Sequence, residues 1–398
     1  MVPCYRSAFG LPDLLKAMMS WSGPVKVEEV EVAYAEALGM PYAILLPSAR
    51  AGIFWTLRVC GCSEQQVLCP VFTCWEVWHA VRRARAHLSL IDLGEGSFLM
   101  DYKVLATFQR SPHAMVLSQV YGYHYNLTAL DQQSTCDPLV RIVDMAMELP
   151  DPKLFSQLGS KDVALISFGT RKCLYSGWGG MALMRDRSLA AELRRLRDLE
   201  QEPECFTKAW LSLTRMFITE LARLNVAYSM VHASRRWRSK FQKETPIDAI
   251  LPDCFEKGQD HAGFDAYYRV PSSGLNRYLM LCNLSKIEDQ RKHRRRLADH
   301  YAKNLGGMTG IILPPISPTA MSHYTIRVEA ERRSEIVDSL VQSGITVETL
   351  FPFSARLPAS EYPVSANVAR QVINLPLHSK VSLSDVDHIC AVLRKAVE

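Results

Sequence analysis

The sequence predicts an α/β protein: a mostly parallel sheet with helices on both faces, followed by a smaller α+β C-terminal domain. Three observations carry this expectation. Between Tyr42 and Met184 short apolar runs alternate with helical segments, as parallel strands covered on both faces do. Ser48, Asp144 and Ser167 close or follow three of these runs, and ligands of open α/β sheets bind at the carboxyl ends of strands. From about Asp265 the texture changes to long charged helices with few strands.

Taken in order, Glu28–Leu38 has helical spacing and ends at Gly39, a C-cap residue. Tyr42–Leu46 reads as a strand stopped by Pro47-Ser48, and Arg50–Val59 as a helix whose end is Cys60. Gln66–Pro70 is a second strand, before a helix over Thr73–Arg85. Strands follow at His87–Ile91, Ala114–Tyr121 and Val140–Asp144, and Val163–Ser167 and Met181–Met184 flank Lys172. Phe206–Ile250 reads as a helical stretch between the domains. Its amphipathic part, Trp210–Val231, is interrupted by Arg215, Glu220 and Arg223 and so is not a membrane span. It leads to the basic cluster Arg235–Lys240, read as a solvated helix end, with a membrane-surface contact of 206–243 as the sharper alternative. Beyond it come a helix over Leu284–Leu305, a strand over His323–Val328, a helix over Ser334–Ser343 and a closing helix over Ser384–Val397, capped by Ser382 or Ser384. The expected organisation is an N-terminal segment 1–24 packed with the small domain, a large domain 25–264 with a divergent insert near 205–260, and a small domain 265–398.

Composition excludes more than it selects. The 398 residues are 48% hydrophobic and 22% charged, and a net charge of +5 does not call for a nucleic-acid partner. Eleven scattered cysteines with no CxxC pair argue for free thiols in a reducing compartment over a disulfide frame or a zinc site. No signal-peptide pattern opens the chain, so the expected location is the cytoplasm.

The chemistry centres on Lys172. It follows a strand in Ser167-Phe168-Gly169-Thr170-Arg171-Lys172 and precedes the glycines of Ser176-Gly177-Trp178-Gly179-Gly180, while Asp144 ends an earlier strand. Such a pair suits pyridoxal 5'-phosphate. The amine forms the Schiff base, and the carboxylate keeps the pyridine nitrogen protonated so that the ring acts as an electron sink. His113, His124, His323 and His378 read as structural or surface histidines, because none has a partner nearby in sequence. Cys173 reads as packing, and the basic run Arg291–Arg296 as a solvated helix face.

In this order the elements resemble the DegT/DnrJ/EryC1/StrS family of fold-type I sugar aminotransferases. Glu31–Gly39 fits the family helix E-x-x-[FY]-A-x-x-x-G, and Leu46–Gly52 stands where the family has SSGTAAL. Pro70–Cys74 stands at PAFTF, Gln119–Gly122 at HLYG, Asp144–Met147 at DAAQ, Ser167–Lys172 at SFxxxK and Gly177–Gly180 at GEGG. Gly274–Tyr278 answers GYNYR, Gly344-Ile345 the small-domain GI, and Leu375–His378 the LPLH close. The resemblance implies a seven-stranded, mostly parallel sheet and a homodimer with shared active sites.

It also implies roles. Lys172 is the Schiff-base lysine and proton shuttle, Asp144 the partner of the pyridine nitrogen, and Ser167 a hydroxyl donor to the cofactor phosphate. Ser48, Ala49 and Arg50 offer backbone amides at a helix start to that phosphate, and Asn276 reaches the neighbouring subunit's phosphate. Five positions depart from the family pattern. Arg50 replaces a threonine, Cys74 (with Trp75 next to it) the ring-stacking aromatic, and Met147 the donor to the cofactor's phenolic oxygen. Trp178 replaces the acid of GEGG and Tyr278 the arginine of GYNYR. The implied reaction moves an amino group from an amino acid, glutamate first among donors, to a keto sugar, nucleotide-linked, or to a keto cyclitol. The departures leave open a dehydratase, decarboxylase or other carbanion reaction, or a non-catalytic member.

Overall fold

The computed structural model describes residues 2–19, 25–106, 111–133, 138–204, seven positions between 207 and 217, 262–315 and 321–398. Among these residues one sheet holds seven strands: β1 (Tyr42–Leu46), β2 (Gln66–Pro70), β3 (His87–Ile91), β4 (Ala114–Ser118), β5 (Val140–Asp144), β6 (Asp162–Ser167) and β7 (Gly180–Met184). Their order is β1-β7-β6-β5-β4-β2-β3. β7 runs antiparallel to β1 and β6, and the other pairs are parallel. A buried apolar cluster fills each face of this sheet, as the continuous apolar runs require. A second sheet, β10-β9-β8, is formed by β8 (Ile311–Ile312), β9 (Tyr324–Val328) and β10 (Val372–Leu375). It packs with the helices Arg333–Gln342 and Leu383–Val397 and with the far end of Gly274–Leu305 around its own core. No described helix is long and apolar enough to cross a membrane.

Several boundaries differ from expectation, each for a local reason. β4 stops at Ser118, because Tyr121 and Gly122 turn the chain at positive φ, 55° and 82°. The helix expected over Thr73–Arg85 is Trp75–Arg83, ending where Arg85 adopts φ 58°. The long helix begins at Gly274, ten residues before the expected Leu284, because Ser273 and Asn276 form a capping box. The helix Pro363–Gln371 and strand β10 were not anticipated. The basic cluster 235–240 and most of the 205–260 insert lie outside the described residues.

The N-terminal segment does not stand apart. Val2 bridges Ile345 in parallel and belongs to the core of the second sheet. Phe9, Leu14 and Ala17 are buried with Leu275 and Leu279 of the long helix.

Candidate active site

A cavity of about 630 Å³ opens at the carboxyl ends of β1, β5 and β6. Nine of the ten expected site residues line it: Ser48, Ala49, Arg50, Cys74, Asp144, Met147, Ser167, Lys172 and Asn276. Trp75 does not. It is the first residue of its helix and meets His79 edge-on, with ring centroids 5.9 Å apart. At the position where the family stacks an aromatic, the cavity therefore presents Cys74.

One end of the cavity is a helix start. Ser48, extended at φ −166°, caps the helix Ala49–Val59: its Oγ accepts from the Ala51 amide at 3.1 Å and donates to the Tyr267 carbonyl at 2.6 Å. The first amides of the helix lack intrahelical acceptors and carry its positive dipole end. Gly180 makes this possible, since a Cβ there would lie 2.3 Å from both the Ala49 nitrogen and the Ser48 carbonyl carbon. Arg50, the departure from threonine, forms an ion pair with Glu76 at 2.8 Å, and its guanidinium lies 4.0 Å from the Tyr267 ring centroid. Trp178 stacks on the same tyrosine at 4.6 Å and donates its indole N–H to the Val270 carbonyl. The Cys74 thiol donates to Glu76; burial and that carboxylate push its pKa far up.

The other end holds the lysine and the aspartate. β6 and β7 are joined by a loop in which Arg171 (φ 63°), Gly177 (φ 96°) and Gly179 (φ 122°) take left-handed or related conformations. This loop carries Lys172, whose Nζ lies 3.3 Å from Met147 Sδ. Asp144, the last residue of β5, accepts from the Ala146 amide at 3.1 Å. Burial raises its pKa, against the opposing charge of Lys172. Ser167 ends β6 and accepts from the Gly169 amide at 3.4 Å. Met147 offers no donor where the family has one.

Asn276 is held within its own chain. Its Oδ1 accepts from the Ser273 amide, and its Nδ2 donates to the Ser176 carbonyl at 2.8 Å. A reach toward a neighbouring subunit would require it to leave this capping box.

Sequence reasoning missed much of the surrounding wall. Glu76, Tyr267, His323 and Glu348 all line the cavity. Glu76 stands two residues after Cys74 and was the one detectable from the motif; Tyr267 follows the divergent insert. Glu348 forms an ion pair with Arg171 at 3.1 Å, tying the lysine loop to the second sheet's side. His323 is buried, and that burial together with Arg294 and the lysine-loop cations lowers its pKa to about 3. Tyr5 donates its hydroxyl to the Lys172 carbonyl at 3.0 Å. By contrast, His113 bonds the Cys60 carbonyl, His124 pairs with Glu148, and His378 bonds the Pro3 carbonyl.

Known proteins similar to this chain include aminotransferases. A dTDP-4-dehydro-2,3,6-trideoxy-D-glucose 4-aminotransferase of Saccharopolyspora spinosa is 23% identical over 390 residues, 94% of this chain and 90% of that protein. The sugar aminotransferase CalS13 from Micromonospora echinospora superposes with a TM-score of 0.72 at 18% identity, over 99% of this chain and 100% of its own. A Streptococcus pneumoniae relative solved in its PLP form gives 0.70 at 17%, over 100% and 97%. At such identities the structural likeness is one of fold. The model of the DegT/DnrJ/EryC1/StrS aminotransferase family matches residues 11–230 and 275–394, most of the sequence. A mostly parallel seven-stranded sheet with a lysine and an aspartate at its carboxyl edge thus goes with a family match along nearly its whole length, and the chain belongs to the DegT/DnrJ/EryC1/StrS aminotransferase family.

Proposed function

We propose that this aminotransferase uses pyridoxal 5'-phosphate to move an amino group from an amino acid, glutamate first, to a keto group on a sugar. The observation that carries the reading is the convergence of Lys172, Asp144, Ser167 and the capped helix start at Ser48 on one cavity. These residues fit the cofactor. Asp144 is a half-buried carboxylate with a single backbone donor and a nearby ammonium group; a protonated pyridine nitrogen would complete its environment. The helix start offers free amides to a phosphate. Cys74 and Met147 contribute contact instead of ring stacking or a hydrogen bond to the phenolic oxygen.

Bound there, the cofactor supplies an electron sink for the carbon that gains or loses nitrogen. The chain's residues do the rest. Lys172 Nζ holds the cofactor covalently and, when displaced by substrate, carries the proton to and from the reacting carbon. Asp144 keeps the ring nitrogen protonated. The Ser167 hydroxyl and the backbone amides of Ser48, Ala49 and Arg50 would anchor the phosphate.

A keto sugar as acceptor, with the 4-keto dTDP-sugar of the Saccharopolyspora spinosa relative as model, rests on similarity of sequence. A homodimer with shared sites completes the proposal; in it Asn276 exchanges its capping partner for the neighbour's phosphate. Borohydride reduction of the purified chain with pyridoxal phosphate, followed by peptide mass mapping, should place the cofactor on Lys172. Glutamate should then convert the unreduced cofactor to pyridoxamine phosphate with release of oxoglutarate. Labelling of another lysine, or no labelling, refutes the site; labelling without conversion refutes the reaction class.

A further inference from the structure

His323 and Glu348 of the cavity wall, with Cys4 behind them, form a cluster that the transamination reading does not use. Cys4, His323 and Glu348 bring a thiol, an imidazole nitrogen and a carboxylate oxygen to within 4.8 Å of one another. We propose that these three residues form a zinc site on the small-domain wall, with its fourth ligand position open to the cavity and independent of the pyridoxal phosphate reading.

Two atoms of the cluster are buried without a hydrogen-bond partner: His323 Nε2 and Glu348 Oε2, 3.9 Å apart. His323 is 2% exposed and Cys4 6%. Leaving such groups orphaned is unfavourable, and one cation between them satisfies both. The donor set of thiolate, imidazole and carboxylate suits zinc, and three protein ligands with one open position are its usual arrangement in reactive sites.

The surroundings orient each ligand. His323 Nδ1 meets Ser322 Oγ at 3.0 Å, which leaves Nε2 as the metal-facing nitrogen. Arg171 engages Glu348 through Oε1, leaving Oε2 free. Reciprocal backbone bonds between Glu348 and Asn374 hold the carboxylate's stem, and the Cys4 amide donates to Thr346 Oγ1 at 2.7 Å. The thiol now makes a weak bond to the Asn374 carbonyl at 3.3 Å. Binding breaks it: the thiol proton leaves to solvent as the zinc–sulfur bond forms, with no change of oxidation state. His323 and Glu348 line the cavity, so an oxygen of a bound substrate can take the fourth position.

No sequence spacing could have disclosed this site, since its ligands stand at positions 4, 323 and 348.

The test uses the full chain with its cofactor, stripped by chelator and dialysed, then titrated with Zn²⁺ and separately with Co²⁺. Expected are about one zinc per chain and a thiolate-to-cobalt charge-transfer band. Both should be lost in Cys4→Ser and Glu348→Gln, and zinc affinity should fall about tenfold in Ser322→Ala, which keeps all ligands. Failure of the wild-type chain to retain zinc, or absence of the cobalt band, overturns the proposal. So does a band that survives Cys4→Ser and disappears in the Cys60→Ser/Cys62→Ser double variant. If a ligand variant fails to fold, the wild-type cobalt spectrum and the affinity of Ser322→Ala decide the question.

Discussion

The two walls of the cavity are built on different principles. On the large-sheet side, Ser48, Asp144 and Ser167 close strands or start a helix, and each accepts a local backbone hydrogen bond, from Ala51, Ala146 and Gly169. Around His323 and Glu348, which line the cavity, the partners behind them are distant in sequence, Cys4 with Asn374 and His378 with Pro3, and one buried atom of each of these two lining residues has no hydrogen bond. The first wall is set by backbone geometry and tolerates changes in the side chains above it. The second is held by side chains meeting across long loops, and is where a change of ligand or pH should be felt.

Four measurements test that contrast, in order of expected effect. Lys172→Ala should lower transamination by at least about 10⁴-fold while leaving the circular dichroism intact, because it removes the reacting amine from an already fixed loop. Loss of fold would show that the first wall depends on its side chains after all. Gly180→Ala attacks the backbone itself, since the added Cβ meets two main-chain atoms at 2.3 Å. We expect a loss of about 3 kcal/mol in urea unfolding, at the upper end for overpacking, together with weaker cofactor phosphate binding.

The third probes the second wall. Burial lowers the pKa of His378 to about 3, so the unfolded chain takes up a proton that the folded chain refuses. The associated stability is complete above the unfolded value near 6.5 and is lost as pH falls toward 3, about 2 kcal/mol of it by pH 5. In His378→Gln the drop in unfolding free energy between pH 7 and pH 5 should shrink by about that amount; an unchanged drop would place the acid sensitivity elsewhere. The smallest effect is that of Ser48→Ala, which removes one cap and should cost about 1 kcal/mol, measurable as a lower melting temperature without cofactor.

The same contrast explains what the sequence disclosed. All seven strands of the large sheet were legible, because strands in a sheet covered on both faces read as short apolar runs whatever their direction. That Lys172, Asp144 and Ser48 lie at one cavity was legible because each stands just after or at the end of an apolar strand. Trp75 was a fair candidate until the helix start at Cys74 settled which of two neighbours faces inward. The Ser273–Asn276 capping box, which starts the long helix ten residues before the expected Leu284, carries no apolar periodicity to signal it. Tyr267, His323 and Glu348 carry no local signature; only tertiary contacts place them at the cavity.

The tyrosine hydroxyl that touches the lysine loop has a consequence in time. Cys4 precedes its partner Asn374 by 370 residues, and Pro3 precedes its partner His378 by 375. During synthesis Tyr5 can meet the Lys172 loop early, but Cys4 and Pro3 must wait for Asn374 and His378, so their part of the structure is the last to assemble. A nascent chain halted before residue 374 should carry a formed large sheet while Cys4 and Pro3 still lack these partners.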